Sequence, residues 1–392
     1  KEIWSSLSLI HSPLTHQMIK KSVKLLVGVF IVLIIIAVLG HSVIIPKLIP
    51  LSDLPTPSGV YSVGTKIFEW TDESRDEWFT EDKDDKRRIV VQVWYPSEDT
   101  NSAPVPYLVS ADKWLPALSD ILEIPQFLFD HLRDIGTHSV LNAPVNKKVE
   151  NTPLVLFSHG IWGMRFQNTA QFEALASRGY IVVSVDHAYD ASLTLFKDGT
   201  IADFRSGYEG ELSEEEFWAL RNPQLQTRVS DIRFMIDTIG VKNLKGAELW
   251  SVVDMERIGV FGHSYGGATS LIASIQDARI DAAIALDGWM IPVPLDVIDR
   301  GSDKPFYYIG RESWPDPLNY QQLNKFLKRS SKQSTLFLTG TEHFDFSDTP
   351  LFSPYMQTFG LSGVIPAEEL AKKLENEIVG FFDNHLNHES EI

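Results

Sequence analysis

Gly262-His263-Ser264-Tyr265-Gly266-Gly267 lies between two apolar runs, Arg257-Ile258-Gly259-Val260-Phe261 before it and Ala268 to Ile275 after it. The first reads as a short buried strand; the second reads as a helix packed through Leu271, Ile272 and Ile275. Small residues two before and two after Ser264 allow a bend tight enough to lift the hydroxyl out at the strand tip, the geometry of a nucleophile elbow. The helix N-terminus then points backbone N–H groups at any oxyanion formed there. Gly-x-Ser-x-Gly by itself is common, so its weight comes from the flanking strand and helix and from partners elsewhere in the chain.

Working outward, the same alternation recurs. Leu154-Val155-Leu156-Phe157-Ser158 is a fully apolar strand that runs into His159-Gly160-Ile161-Trp162-Gly163. A helix from about Asn168 to Ser177 and a strand from Tyr180 to Val185 follow, and Gln224 to Ile239 has the spacing of an amphipathic helix. Beyond the elbow, Ala282 to Leu286, Phe306 to Ile309 and Thr335 to Leu338 read as strands, and Pro366 to about His385 as the last helix. Unbroken apolar strands alternating with helices predict an α/β-hydrolase fold, with a mostly parallel central sheet flanked by helices. Ile89 to Tyr95 is a further strand, Asp72 to Arg88 a solvated hairpin end, and Gly207 to Pro223 an exposed acidic stretch.

The chain of 392 residues, 44% hydrophobic, is long enough to bury a large core. A formal charge of -17 with no basic stripe argues against a nucleic-acid partner, and the absence of cysteine excludes disulfides and thiolate chemistry. Leu25 to Leu39 is an uncharged apolar run preceded by Lys20, Lys21 and Lys24; extended through Ile45 it is long enough to cross a bilayer. The expected organisation is a cytoplasmic N-terminus over 1–24, a transmembrane anchor or signal peptide over 25–45, a proline-rich linker over 46–58 and one hydrolase domain over 59–392. Met18, directly before Ile19-Lys20-Lys21, marks a natural start for that signal and leaves 1–17 as an upstream tail or start-site artefact. The apolar segment 107–140, with Trp114, Leu118, Phe127 and Leu128, reads as two short helices broken at Pro125 that cap a cleft, face lipid or pack on the core.

A serine hydroxyl needs an imidazole to take its proton, and the imidazole needs a carboxylate to fix its tautomer. In the α/β-hydrolase order both follow the serine, leaving His343, His385 and His388; His343, just past a buried strand, is the best placed. His159, His187 and His263 precede or adjoin the serine and read as structural hydrogen-bonders. Asp287, Glu312 and Asp316 all follow strands, and order alone leaves the acid open among them. The N–H groups of Tyr265 and Ile161 are the expected oxyanion donors. No metal or cofactor is called for.

Phe157-Ser158-His159-Gly160, the elbow, Ala285-Leu286-Asp287-Gly288-Trp289-Met290 and Gly340-Thr341-Glu342-His343 together resemble plasma-type platelet-activating-factor acetylhydrolases, over roughly Tyr61 to Phe382. The resemblance implies Asp287 as the acid, Ser264 as nucleophile, His343 as base, and Ile161 and Tyr265 as oxyanion donors. It also implies a calcium-independent serine esterase acting on short or oxidised acyl groups of phospholipids. The acidic stretch Gly207 to Glu216 has no counterpart in that pattern. General carboxylesterases and polyester hydrolases share the elbow and the His-Gly loop, and a membrane-tethered binding protein that keeps the fold without its chemistry is the competing class.

Overall fold

The strands expected around the elbow lie side by side in one sheet of nine. In this computed structural model, which describes residues 50–387 except 83, 100, 209 and 242–246, with 23–24, 26–32, 40 and 45–48 before them, the strands are β1 (Ser62–Asp76), β2 (Lys86–Ser97), β3 (Ser139–Leu141), β4 (Thr152–Ser158), β5 (Ile181–Asp186), β6 (Leu193–Leu195), β7 (Ile201–Asp203), β8 (Val253–His263), β9 (Ile280–Leu286), β10 (Phe306–Arg311) and β11 (Gln333–Leu338). The large sheet runs β11-β10-β9-β8-β4-β5-β2-β1-β3, and β6 pairs with β7 apart from it. From β5 to β11 the pairs are parallel, while β2 is antiparallel to both β5 and β1.

The longer helices are α1 (Ala111–Leu122), α2 (Thr169–Ser177), α3 (Glu214–Gly240), α4 (Tyr265–Gln276), α5 (Leu295–Arg300), α6 (Leu318–Leu327) and α7 (Ala367–Leu386). They cover both faces of the sheet, which is why its central strands are largely apolar and buried. In β4, Leu154 and Leu156 pack with Ile232 and Ile236 of α3 and Leu271 of α4. Val155 and Phe157 point the other way, into Phe172 and Leu175 of α2 and Phe382 of α7. The period-2 alternation thus divides one apolar run between two cores.

Three expectations need correction. The stretch 207–223 is largely exposed and acidic as expected, but from Glu214 it is helical, because α3 begins there and runs through Pro223, and Arg221 is buried. Ser213 and Glu216 form a reciprocal capping box, and three glutamates lie at the positive end of the helix dipole, so the start is well specified locally. The hairpin between β1 and β2 is present, but its charges are not all solvated. Arg87, Glu77 and Asp72 are buried, and Arg87 binds Asp231 of α3 at 2.6 Å and Glu77 at 2.8 Å. Finally, the segment read as a linker packs on the domain along 51–58. Leu54 is buried, Ser52 N–H donates to Phe352 O and Leu54 N–H to Gly136 O, both at 3.0 Å.

The cap-like segment does break near Pro125. Helix α1 buries Trp114, Leu115 and Leu118, whereas the 3-10 turns after it leave Phe127 and Leu128 exposed. Most of the expected membrane segment 25–45, and all of 1–17, lie outside the described residues. Among the described residues no helix is long and apolar enough to cross a membrane.

Arg87 donates to Asp231 through two nitrogens and His187 reaches the same carboxylate at 2.9 Å, all in the interior. Asp231→Ala leaves Glu77 as the remaining carboxylate on that buried guanidinium and removes the partner of His187, and is expected to cost about 3–5 kcal/mol. Urea unfolding followed by tryptophan fluorescence checks this, and a loss below about 1 kcal/mol contradicts it.

Candidate functional site

The end of β8 turns into α4 through Ser264, whose φ of 57° and ψ of -120° belong to neither element. Holding a non-glycine residue there costs of order 1–3 kcal/mol, which the surroundings must offset. Ser264 N–H donates to Leu286 O at 2.9 Å, and Ser264 O accepts from Gly267 N at 3.0 Å and Trp289 N at 2.9 Å. The end of β9 therefore clamps the turn on both sides. A Cβ on Gly266 would lie 1.9 Å from Ser158 O, and one on Gly262 would lie 2.2 Å from Gly266 O. The small residues flanking the serine are required by space.

Across the sheet edge, His343 Nδ1 lies 2.6 Å from Asp287 Oδ2. Asp287 is fully buried, with φ at 41°, and its Oδ1 accepts from Trp314 Nε1 at 3.0 Å and Arg311 N at 3.2 Å. Two donors on one oxygen leave the other for the imidazole. Of the alternative acids, Glu312 accepts from Thr339 Oγ1 at 2.6 Å and Asp316 from Leu318 N at 2.9 Å. Neither is brought to His343. His385 lies on α7 against Phe381, and His388 is outside the described residues.

The three other histidines are buried and bonded. His263 stacks on His343 with ring centroids 4.6 Å apart, and its Nε2 donates to His343 O at 2.9 Å. His187 Nδ1 donates to Asp231 and its Nε2 accepts from Ser158 Oγ at 2.9 Å. His159 Nδ1 donates to Gly160 O at 2.6 Å, and His187 N donates to His159 Nε2 at 3.1 Å. Burial pushes the pKa of His159 and His263 well below the usual imidazole range.

Gly160 lies against Ser264: a Cβ on it would be 3.3 Å from Ser264 Cβ. The next N–H, that of Ile161, has no acceptor among the described residues, and neither has the N–H of Tyr265, the first residue of α4. Ser264 fixed in its turn, an imidazole held by a carboxylate, and two unused N–H groups are the parts that acyl transfer calls for.

Several groups were not anticipated from the sequence. Arg311 and Trp314 hold Asp287, and Arg311 Nε lies 3.2 Å from Asp287 Oδ2. Behind the His-Gly loop, Arg221, Gln224 and Arg228 are all buried. Their spacing of three and four residues along the core-facing stripe of α3 was the available signal.

The family described as platelet-activating factor acetylhydrolase, isoform II, matches residues 49–392. The chain is 27% identical to the platelet-activating factor acetylhydrolase of Canis lupus familiaris over 361 residues, covering 86% of this chain and 78% of that protein. It is also 27% identical to a probable 1-alkyl-2-acetylglycerophosphocholine esterase of Arthroderma benhamiae, covering 76% of each. Among solved structures, a ferulic acid esterase from Streptomyces cinnamoneus superposes with a TM-score of 0.71 at 28% identity, covering 86% of this chain and 93% of that one.

The buried histidines give the site a stability that depends on pH. Burial, opposed by the bond to Asp231, holds His187 down at about 4. An unfolded histidine titrates near 6.5, so its contribution is complete above about pH 6.5 and is lost as the pH falls towards about 4. Each such group costs up to about 1.4 kcal/mol per pH unit within that window. Unfolding free energies at pH 7.5 and 5.0 are expected to differ less in His187→Gln than in the parent; equal differences would show that His187 does not carry the effect.

Proposed function

The chain belongs to the isoform II platelet-activating factor acetylhydrolase family and is a carboxylic-ester hydrolase, and on that premise we propose that Ser264, His343 and Asp287 are its catalytic triad. In this reading His343 takes the Ser264 proton as Oγ attacks the ester carbonyl, and Asp287 holds the imidazole in the required tautomer and stabilises its charge. The N–H groups of Ile161 and Tyr265 receive the oxyanion. His343 then returns the proton to the leaving alkoxide, and water repeats the sequence on the acyl-enzyme. The observation that carries the reading is the 2.6 Å contact between His343 Nδ1 and Asp287 Oδ2, with Asp287 fully buried.

The substrate we propose is a phospholipid ester with a short or oxidised acyl chain at its second position, in keeping with the names of the relatives from dog and Arthroderma. The ferulic acid esterase neighbour keeps a simpler carboxylesterase in view as the second reading. We place the domain on the extracytoplasmic side, tethered or released through the apolar run Leu25 to Leu39 behind its three lysines.

Initial rates on p-nitrophenyl esters from acetyl to dodecanoyl, beside a phosphatidylcholine with a short second acyl chain, test this. Preference for short chains together with phospholipid turnover is expected, and Ser264→Ala is expected to abolish both. Turnover of simple esters alone would favour the carboxylesterase, and no Ser264-dependent rate on any of them would favour a binding protein. Asp287→Asn is expected to lower kcat by about 10⁴, while Glu312→Gln and Asp316→Asn stay near the parent rate. A normal rate in Asp287→Asn overturns the assignment of the acid.

A further inference from the structure

We propose that Arg228 is a positioning residue for ester hydrolysis: from behind the oxyanion site it grips the carbonyls of His159 and Gly160, and thereby aims and polarises the Ile161 N–H. The inference rests on the assignment of Ser264 and Ile161 made above.

Its basis is that Gly160 C=O and Ile161 N–H are the two ends of one peptide group. No peptide bond among the described residues is cis, so the carbonyl and the N–H of that group point in opposite directions. Whatever fixes the carbonyl therefore aims the N–H. Gly160 O accepts from His159 Nδ1 at 2.6 Å, from Gly163 N at 3.1 Å and from Arg228 Nη2 at 3.2 Å, and His159 O accepts from Arg228 Nη1 at 2.5 Å. One planar guanidinium spans two successive carbonyls of the loop.

A cationic donor on a carbonyl draws electron density along the peptide and makes the N–H at its far end a stronger donor. Arg228 is 1% exposed, so water does little to screen that effect. The charge is also oriented. Arg228 Nε binds the Asp190 carboxylate, whose other oxygen accepts from Gln224 Nε2 at 2.6 Å. The negative end of the pair thus lies on the Nε side, and the two Nη atoms face the loop. The guanidinium carbon sits 4.8 Å from the centroid of the Tyr265 ring, which closes its remaining face.

The same acid anchors the loop a second time through its backbone, since Trp162 N donates to Asp190 O at 3.1 Å. Ser192 N donates to Gly163 O at 2.8 Å. The loop from His159 to Gly163 is held at both ends, leaving Ile161 N–H between the fixed points beside Ser264. Lysine would keep the charge but has no fork to span both carbonyls.

The test compares Arg228→Lys and Arg228→Gln, the latter also combined with Asp190→Asn so that no unpaired carboxylate stays buried. Near-UV circular dichroism selects the folded variants. In these, kcat is expected to fall roughly ten- to a hundredfold, less than or about the loss of a whole oxyanion donor, with KM within about twofold, the pattern of an interaction made only in the transition state. The infrared carbonyl stretch of the cinnamoyl-enzyme is expected to move to higher frequency, with Arg228→Lys intermediate in both rate and stretch. If neither glutamine variant folds, the lysine variant carries the comparison. A parent-like rate with an unmoved stretch overturns the proposal, as does a slower rate with an unmoved stretch, which would mark Arg228 as structural support only. A parent enzyme whose turnover of p-nitrophenyl acetate does not depend on Ser264 would instead overturn the premise, and Ser264→Ala identifies that case.

Discussion

Everything at the site follows from a contact between two stretches of backbone. The end of β4 at Ser158 and the first turn of α4 approach so closely that a methyl group on Gly266 would overlap the Ser158 carbonyl, and Gly262 faces the same crowding. Neither glycine has a positive φ; the left-handed turn falls on Ser264 instead. These glycines answer a need for space, and the dihedral strain is placed on the residue whose side chain must protrude. The same approach brings Gly160 against Ser264. Ser264 and the His-Gly loop are therefore set relative to one another by main chain.

Behind that contact lies a layer of buried charge in an otherwise apolar core. Arg87 with Asp231, Arg165 with Asp186, and Arg228 with Asp190 are almost fully removed from water, beside the carboxyl ends of β4 and β5. Strands stop there and loops begin, so carbonyls and N–H groups lose their sheet partners and need others. Ion pairs of this kind add little net stability over apolar replacements of the same shape. Their contribution here is orientation: Asp231 fixes the tautomer of His187, Asp186 receives Arg165 N at 2.6 Å, and Asp190 holds the guanidinium beneath the loop.

The sheet was legible because its central strands are covered on both faces and so run apolar without interruption. Strand edges were harder to see: β3, β6 and β7 are three residues each, too short for any period to register. At the site, the elbow pattern pointed to Ser264 and chain order and placement to His343 as candidates, but order could not choose among three acids that all follow strands. What separates them is direction. Trp314 and the backbone of Arg311 take one oxygen of Asp287, leaving the other for His343, whereas Glu312 turns to Thr339 and Asp316 to the first turn of α6. That choice depends on the register between β9 and β10 and on the turn at Asp287, neither of which is written in any one stretch of sequence. The buried arginines were passed over for a related reason. In a helix with charges on its open side, a charge on the inward stripe looks the same until the sheet is in place.

The strap from 51 to 58 bears on how the domain responds to force. Any pull along the chain from its N-terminal side reaches the strap before it reaches β1. The strap is fastened by two backbone hydrogen bonds, to Phe352 and Gly136, by the Asp53 carboxylate on Gly136 N, and by the buried Leu54 side chain. The sheet beyond it is held by a continuous ladder of such bonds, so the strap yields first. Its eight residues span at most roughly 25–30 Å at full extension, so peeling them lengthens the chain by that figure less the distance they already cover, and the sheet stays out of the load path until that gain is spent.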